Sequence, residues 1–117
     1  MNPGSPGNVI LVKFPFTHLL SAKKRPALLL QCIRHAPHVQ LITLAMITSK
    51  IEGARLSGDV LIRGWSDAGL LHPSLVRLGK IATVESDLVQ KTLGSLVAED
   101  VMAVRAAFRA LYQFWLD

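Results

Sequence analysis

Ala27-Leu28-Leu29-Leu30-Gln31-Cys32-Ile33 and Val39-Gln40-Leu41-Ile42-Thr43-Leu44-Ala45-Met46-Ile47 are two apolar stretches of strand length, separated by Arg34-His35-Ala36-Pro37-His38. A proline in a short polar connection between two such runs predicts a β-hairpin. The hairpin also decides where chemistry can gather. Lys23-Lys24-Arg25-Pro26 stands just before the first run, and Thr48-Ser49-Lys50 just after the second. In an antiparallel pair the start of one strand lies beside the end of the next, so both polar groups are expected at one rim.

Outward from the hairpin, Asn8 to Phe14 is rich in β-branched residues, follows Pro6-Gly7 and is ended by Pro15, which predicts a strand. Phe16 to Arg25 has no clear period and reads as a long surface loop. Ser49 to Gly58 carries two glycines and mixed charge, the composition of a loop. Asp59 to Ile62 is a short strand, residues 64–69 a turn-rich connection, and Ser74 to Thr83 a longer strand bent at Gly79. Val89 to Leu96 adds a last short strand around Gly94. From Ala98 to Leu116 the pattern changes: Val101, Val104, Phe108, Leu111 and Trp115 follow helical spacing, with Glu99 and Asp100 in the first turn, where the helix dipole favours negative charge. The expected fold is mainly β with a C-terminal helix, a small and strongly curved antiparallel barrel. A parallel sheet would need repeated crossover helices.

A chain of 117 residues fits one domain, 1–117, with residues 1–7 expected as a loose N-terminal tail. Its apolar runs are too short to cross a bilayer, and its start has neither the basic nor the apolar region of a signal peptide, so a cytoplasmic protein without a membrane partner is expected. Cys32, the single cysteine, excludes an internal disulfide and a cysteine-based zinc site, and reads as a small buried hydrophobe. The net charge is +5. Residues 1–51 hold Lys13, Lys23, Lys24, Arg25, Arg34 and Lys50 without one Asp or Glu, whereas residues 52–117 hold seven basic and eight acidic residues. A one-sided basic face attracts polyanions such as nucleic acid or an acidic protein segment, or serves solubility alone.

The candidate chemistry starts at Arg25, whose planar guanidinium can grip a phosphodiester through paired hydrogen bonds. The same Lys-Lys-Arg run reads equally as a solvated loop end. Thr48 and Ser49 offer hydroxyls that can orient a phosphate oxygen, although threonine is ordinary in strands and Ser-Lys in loops. His35 and His38 lie three apart without a nearby carboxylate, so they read as turn residues and no metal site is expected. His72, before Pro73, reads as structural. His18 stands in the basic loop and offers a proton acceptor of the kind that changes charge near neutrality, or a plain solvated imidazole. The basic half has no carboxylates for two-metal catalysis, so any nucleic-acid cleavage here is expected to need no metal and no cofactor. RNA suits such a site, because it carries its own 2′-hydroxyl nucleophile beside each phosphate.

In order and spacing, Gly7-Asn8-Val9-Ile10-Leu11-Val12, Phe14-Pro15-Phe16-Thr17, Lys24-Arg25-Pro26-Ala27-Leu28-Leu29-Leu30, Ile47-Thr48-Ser49-Lys50 and Gly58-Asp59-Val60 resemble the MazF/PemK toxins of bacterial toxin-antitoxin systems. Ala68-Gly69-Leu70-Leu71-His72-Pro73-Ser74, Leu78-Gly79-Lys80-Ile81 and Leu93-Gly94 extend the resemblance over nearly the whole chain. It implies an SH3-like barrel of the MazF/CcdB/Kid kind, usually a homodimer, that cuts single-stranded RNA such as mRNA at short sequences without a metal. It also implies a cognate antitoxin as protein partner. The family's catalytic arginine falls on Arg25 and its catalytic threonine on Thr48, with Thr17, His18, Lys23, Lys24, Ser49 and Lys50 as RNA-binding residues. Three positions depart from the family pattern: Asn8 where many members have Asp, Lys13 where close relatives often have Pro, and His18 where they often have Asp. Two rivals share the fold: a non-catalytic RNA-binding module and a CcdB-like gyrase inhibitor. Trp115 near the chain end invites the second comparison, but its helical spacing suits core or interface, and CcdB lacks the Lys-Arg-Pro and Ile-Thr-Ser combination.

Overall fold

Strands that bury both faces need apolar side chains at successive positions, and that is why the first half of this chain reads as near-continuous apolar runs. The structure is a computed structural model and describes residues 4–14 and 23–116, without the side chain of His35. Its strands are β1 (Asn8–Phe14), β2 (Lys23–Ala36), β3 (Val39–Thr48), β4 (Asp59–Ile62), β5 (Ser74–Glu85) and β6 (Val89–Ser95). A one-turn 3-10 helix, Ser86–Leu88, links β5 to β6, and the helices α1 (Ala98–Leu111) and α2 (Gln113–Leu116) follow.

The strand order is β4-β5-β3-β2-β1-β6, with every neighbouring pair antiparallel. In a flat sheet of that order β5 and β6 would lie four strand spacings apart, about 19 Å. The Ser86–Leu88 connection reaches at most about 14 Å when extended, and it is coiled into a helical turn. The sheet therefore curls on itself, as the expected barrel requires, while β4 and β6 remain its two edges. Alternate residues feed two cores. Ile10, Val12, Ala27, Leu29, Ile42 and Leu44 pack inside the curl with Val84 and Val89. Val9, Leu28, Ala45 and Ile47 pack on the other face with Val60 and Ile62 of β4, and Val101, Val104 and Leu111 of α1 cover them.

Much of the expected outline is present, including β4 at its expected residues and a bend in β5 at Gly79, where the register with β3 jumps from Ala45↔Ile81 to Met46↔Arg77. Several expectations are corrected. Lys23, Lys24 and Arg25 are strand residues, not a loop end, because they pair with Phe14, Lys13 and Val12 of β1. Residues 5–7 are not a loose tail: Gly7 donates its N–H to the Leu29 carbonyl and accepts that of Leu96. Asn8 braces this turn, accepting the Ser5 N–H at Oδ1 and donating from Nδ2 to Ser95 Oγ, both at 2.7 Å. Cys32 is exposed rather than buried. It follows the register shift between Leu29 and Gln31, beyond which residues 31–34 lie on an uncovered end of the hairpin. The helix breaks at Tyr112, and Trp115, expected in core or interface, is 80% exposed on this chain, which rules out the core.

Asp100 ties α1 to the sheet. It is 1% exposed, and its two carboxylate oxygens accept the backbone N–H groups of Arg63 and Gly64 at 3.0 and 2.8 Å. Replacing Asp100 by Ala removes both charge-assisted bonds and is expected to lower stability by about 3 kcal/mol. The check is a urea unfolding midpoint that falls at unchanged slope, with Asn, which keeps one acceptor, falling less.

Candidate active site

The β2–β3 register ends at Ala27↔Met46, and two residues further along each strand stand Arg25 and Thr48. Both line one cavity of about 570 Å³, at the rim where the basic start of β2 meets the end of β3. Ser49 and Lys50 line it from the segment after β3. Its floor is apolar, with Leu11, Pro26, Ile47, Leu70 and Leu93 among the lining residues.

Backbone pairing explains which cations reach it. Leu11 of β1 pairs with Pro26 on one side and Lys91 on the other, so these three form a row across β6, β1 and β2, and all three line the cavity. Two residues along, Lys13 pairs with Lys24. Alternation puts that pair on the same sheet face, outside the cavity and continuing its basic rim. Lys23 pairs with Phe14 and, like Lys24, does not line the cavity. Asn8, a departure from the family pattern, lies four residues before Val12 on β1, about 13 Å from the level of Arg25 at the usual rise. Thr17 and His18 lie outside the described residues.

The Thr48 hydroxyl is held in place. Its Oγ1 accepts the Lys50 N–H at 3.1 Å. That bond uses an oxygen lone pair and leaves the O–H proton to donate. Arg25, Lys50 and Lys91 thus supply positive charge and Thr48 and Ser49 hydroxyls, with no carboxylate among the described residues of the lining. Such a set has the donors and charge that can bind and polarise a phosphodiester. Among the described residues no three His, Cys, Asp or Glu side chains group as a metal site, and no helix is long and apolar enough to cross a membrane.

Three polar lining residues were not foreseen as site residues: His72, Ser74 and Lys91. His72, read above as structural, belongs to the corner between the 64–69 turn and β5. Ser74, 4% exposed, donates its hydroxyl to the His72 carbonyl at 2.8 Å, and its neighbour Leu75 pairs with Thr48. Only the motif match at residues 68–74 hinted at this corner. Nothing local links residue 72 to residues 25 and 48.

Comparison with known proteins follows the same lines. The family model described as PemK-like, MazF-like toxin of type II toxin-antitoxin system matches residues 5–112. The Mycobacterium tuberculosis toxin MazF-mt6 is similar in structure, with a TM-score of 0.66 and 25% sequence identity over 91% of this chain and 96% of that one. An endoribonuclease from a mycobacterial species, solved in complex with its cognate antitoxin, aligns with a TM-score of 0.64 and 17% identity over 92% of each chain. A further mycobacterial endoribonuclease aligns with a TM-score of 0.64 and 19% identity over 94% of this chain and 91% of that one. At 17% and 19% identity these last two share the fold with this chain. No curated protein sequence matches.

Proposed function

We propose, from the premise that this chain belongs to the PemK-like, MazF-like toxins of type II toxin-antitoxin systems, that it is an endoribonuclease cutting single-stranded RNA, mRNA included, at short sequences without a metal. The observation that carries the reading is the shared cavity: Arg25 and Thr48 line it together, inside a cationic rim that has no carboxylate among the described residues. In the proposed reaction the ribose 2′-oxygen attacks the adjacent phosphorus and the bond from phosphorus to the 5′-oxygen breaks. The products are a 2′,3′-cyclic phosphate and a 5′-hydroxyl. Negative charge grows on the non-bridging oxygens as the fifth bond forms. Arg25 stabilises it with a planar donor pair, and the Thr48 O–H, oriented by the Lys50 N–H, donates to one of the same oxygens. Lys50 and Lys91 hold the flanking phosphates, and Lys13 with Lys24 extends the track along the same face.

Its partners in this reading are the RNA, a second copy of the chain and a cognate antitoxin, met in the cytoplasm. Incubating purified protein with mixed RNA in excess EDTA tests the activity. The expected result is discrete fragments carrying 5′-hydroxyl ends. RNA retained on the protein but left intact would favour a binding module instead, and DNA gyrase inhibition with intact RNA a CcdB-like role.

A further inference from the structure

Attack by the 2′-oxygen requires that its proton go to an acceptor, and neither Arg25 nor Thr48 is suited to take it. Guanidinium and ammonium groups present donors only, which removes Arg25, Lys50 and Lys91. Hydroxyls such as those of Thr48 and Ser49 are poor bases, and no carboxylate of the described residues lines the cavity. Among the described lining residues that leaves one side chain with a nitrogen lone pair in its neutral form, the imidazole of His72.

We propose that His72 is the proton acceptor for the 2′-hydroxyl, an inference that rests on the ribonuclease reading above. The corner that carries it is firmly held. Ser74 fixes the His72 carbonyl from below, and Pro73 limits the backbone between them. Leu70 is 7% exposed in the core beneath, and Gly69 sits against the backbone of β6. The imidazole itself is exposed at the cavity lip, where substrate can reach it. Among the described residues, the charged groups lining the cavity with it are Arg25 from β2, Lys50 after β3 and Lys91 from β6, all cationic.

The step balances without another reagent. As the 2′-oxygen bonds to phosphorus, its proton passes to the neutral imidazole. The bond from phosphorus to the 5′-oxygen breaks with its electron pair on that oxygen, which takes a proton from water. The imidazolium then returns its proton to solvent.

The test compares single-turnover cleavage by wild type, His72→Ala, His72→Gln and His18→Ala across acidic to mildly alkaline pH. The substrate is a short oligoribonucleotide bearing a site the wild type cuts, made with either a normal 5′-oxygen or a 5′-bridging sulfur at the scissile position. Wild-type rate is expected to fall on acidification, because a protonated imidazole has no lone pair to accept with. Both His72 variants are expected to stay folded by circular dichroism, cleave about 10²-fold or more slowly, and lose that acid-side fall. Their loss is expected to be equal on both substrates, since a sulfur leaving group relieves only the need for an acid. Wild-type-like rates in the His72 variants would overturn the proposal, as would a retained acid-side fall, rescue by the sulfur substrate, or loss of the fall in His18→Ala alone. Failure of the wild type to cut any RNA is a different result, and it removes the ribonuclease reading itself.

Discussion

Arg25→Ala is expected to reduce RNA cleavage by about 10³-fold or more while the protein stays folded. The reason is where the charge develops. In the pentacoordinate transition state the non-bridging oxygens carry more negative charge than in the bound substrate, so a donor aimed at them lowers the barrier more than it tightens binding. Arg25 lines the cavity with Thr48 and lies on its exposed side, so truncation opens no core and should change stability by less than about 0.5 kcal/mol. The loss should therefore appear mainly in the single-turnover rate and only weakly in RNA affinity, which in the proposed reading Lys13, Lys24, Lys50 and Lys91 still support. Arg25→Lys keeps the charge and loses the planar fork, so it should recover only part of the rate. Paired cleavage and RNA-binding titrations on the same preparations make the measurement. Full cutting by a folded Arg25→Ala protein would remove the assignment of this cavity as the active site.

How much of this was legible depended on whether the cause was local. The strands at Asn8–Phe14 and Asp59–Ile62 could be read because their apolar pattern and their flanking proline or glycine sit within a few residues of one another. The hairpin made the meeting of Arg25 and Thr48 legible too, since two antiparallel strands joined by a short turn leave their outer ends adjacent. The strand character of Lys23–Arg25 was not legible. A basic run has little strand preference of its own, and it is pairing with Phe14, Lys13 and Val12 that makes it a strand. The exposure of Cys32 was hidden for a similar reason, because its apolar neighbours do not reveal the register shift that leaves that end of the hairpin uncovered. His72 is the sharpest case. It reaches the cavity only because β5 pairs with β3 and so carries the preceding corner beside Thr48, a contact between residues far apart in the chain.

That corner also depends on one backbone position, and Gly69→Ala is expected to cost roughly 3 kcal/mol or more of stability. Two independent penalties combine. Gly69 has φ +84°, in the left-handed region that a side chain disfavours by about 1–2 kcal/mol. A methyl there would also overlap the Leu93 carbonyl oxygen, lie 2.5 Å from its carbon and reach 3.0 Å from the Leu93 Cβ. The first two of these atoms are backbone of an edge strand, so they cannot swing aside as a flexible side chain would. The neighbouring contact leaves no slack either, since a Cβ on Gly94 would lie 2.6 Å from the Ala68 carbonyl carbon and oxygen. The 64–70 turn must then lift from β6, which uncovers Ala68 and Leu70 from the core they share with Val60 and Ile62 of β4. Because Gly69, Leu70 and Leu93 line the cavity, the same movement shifts His72 relative to Arg25 and Thr48. Thermal unfolding should show a melting temperature lower by about 10 °C or more. Cleavage measured well below that temperature should fall as well, because a site misplaced by about 1 Å loses on the order of 10²-fold in rate. A Gly69→Ala protein with wild-type melting and cutting would mean that the turn does not rest on β6 in solution.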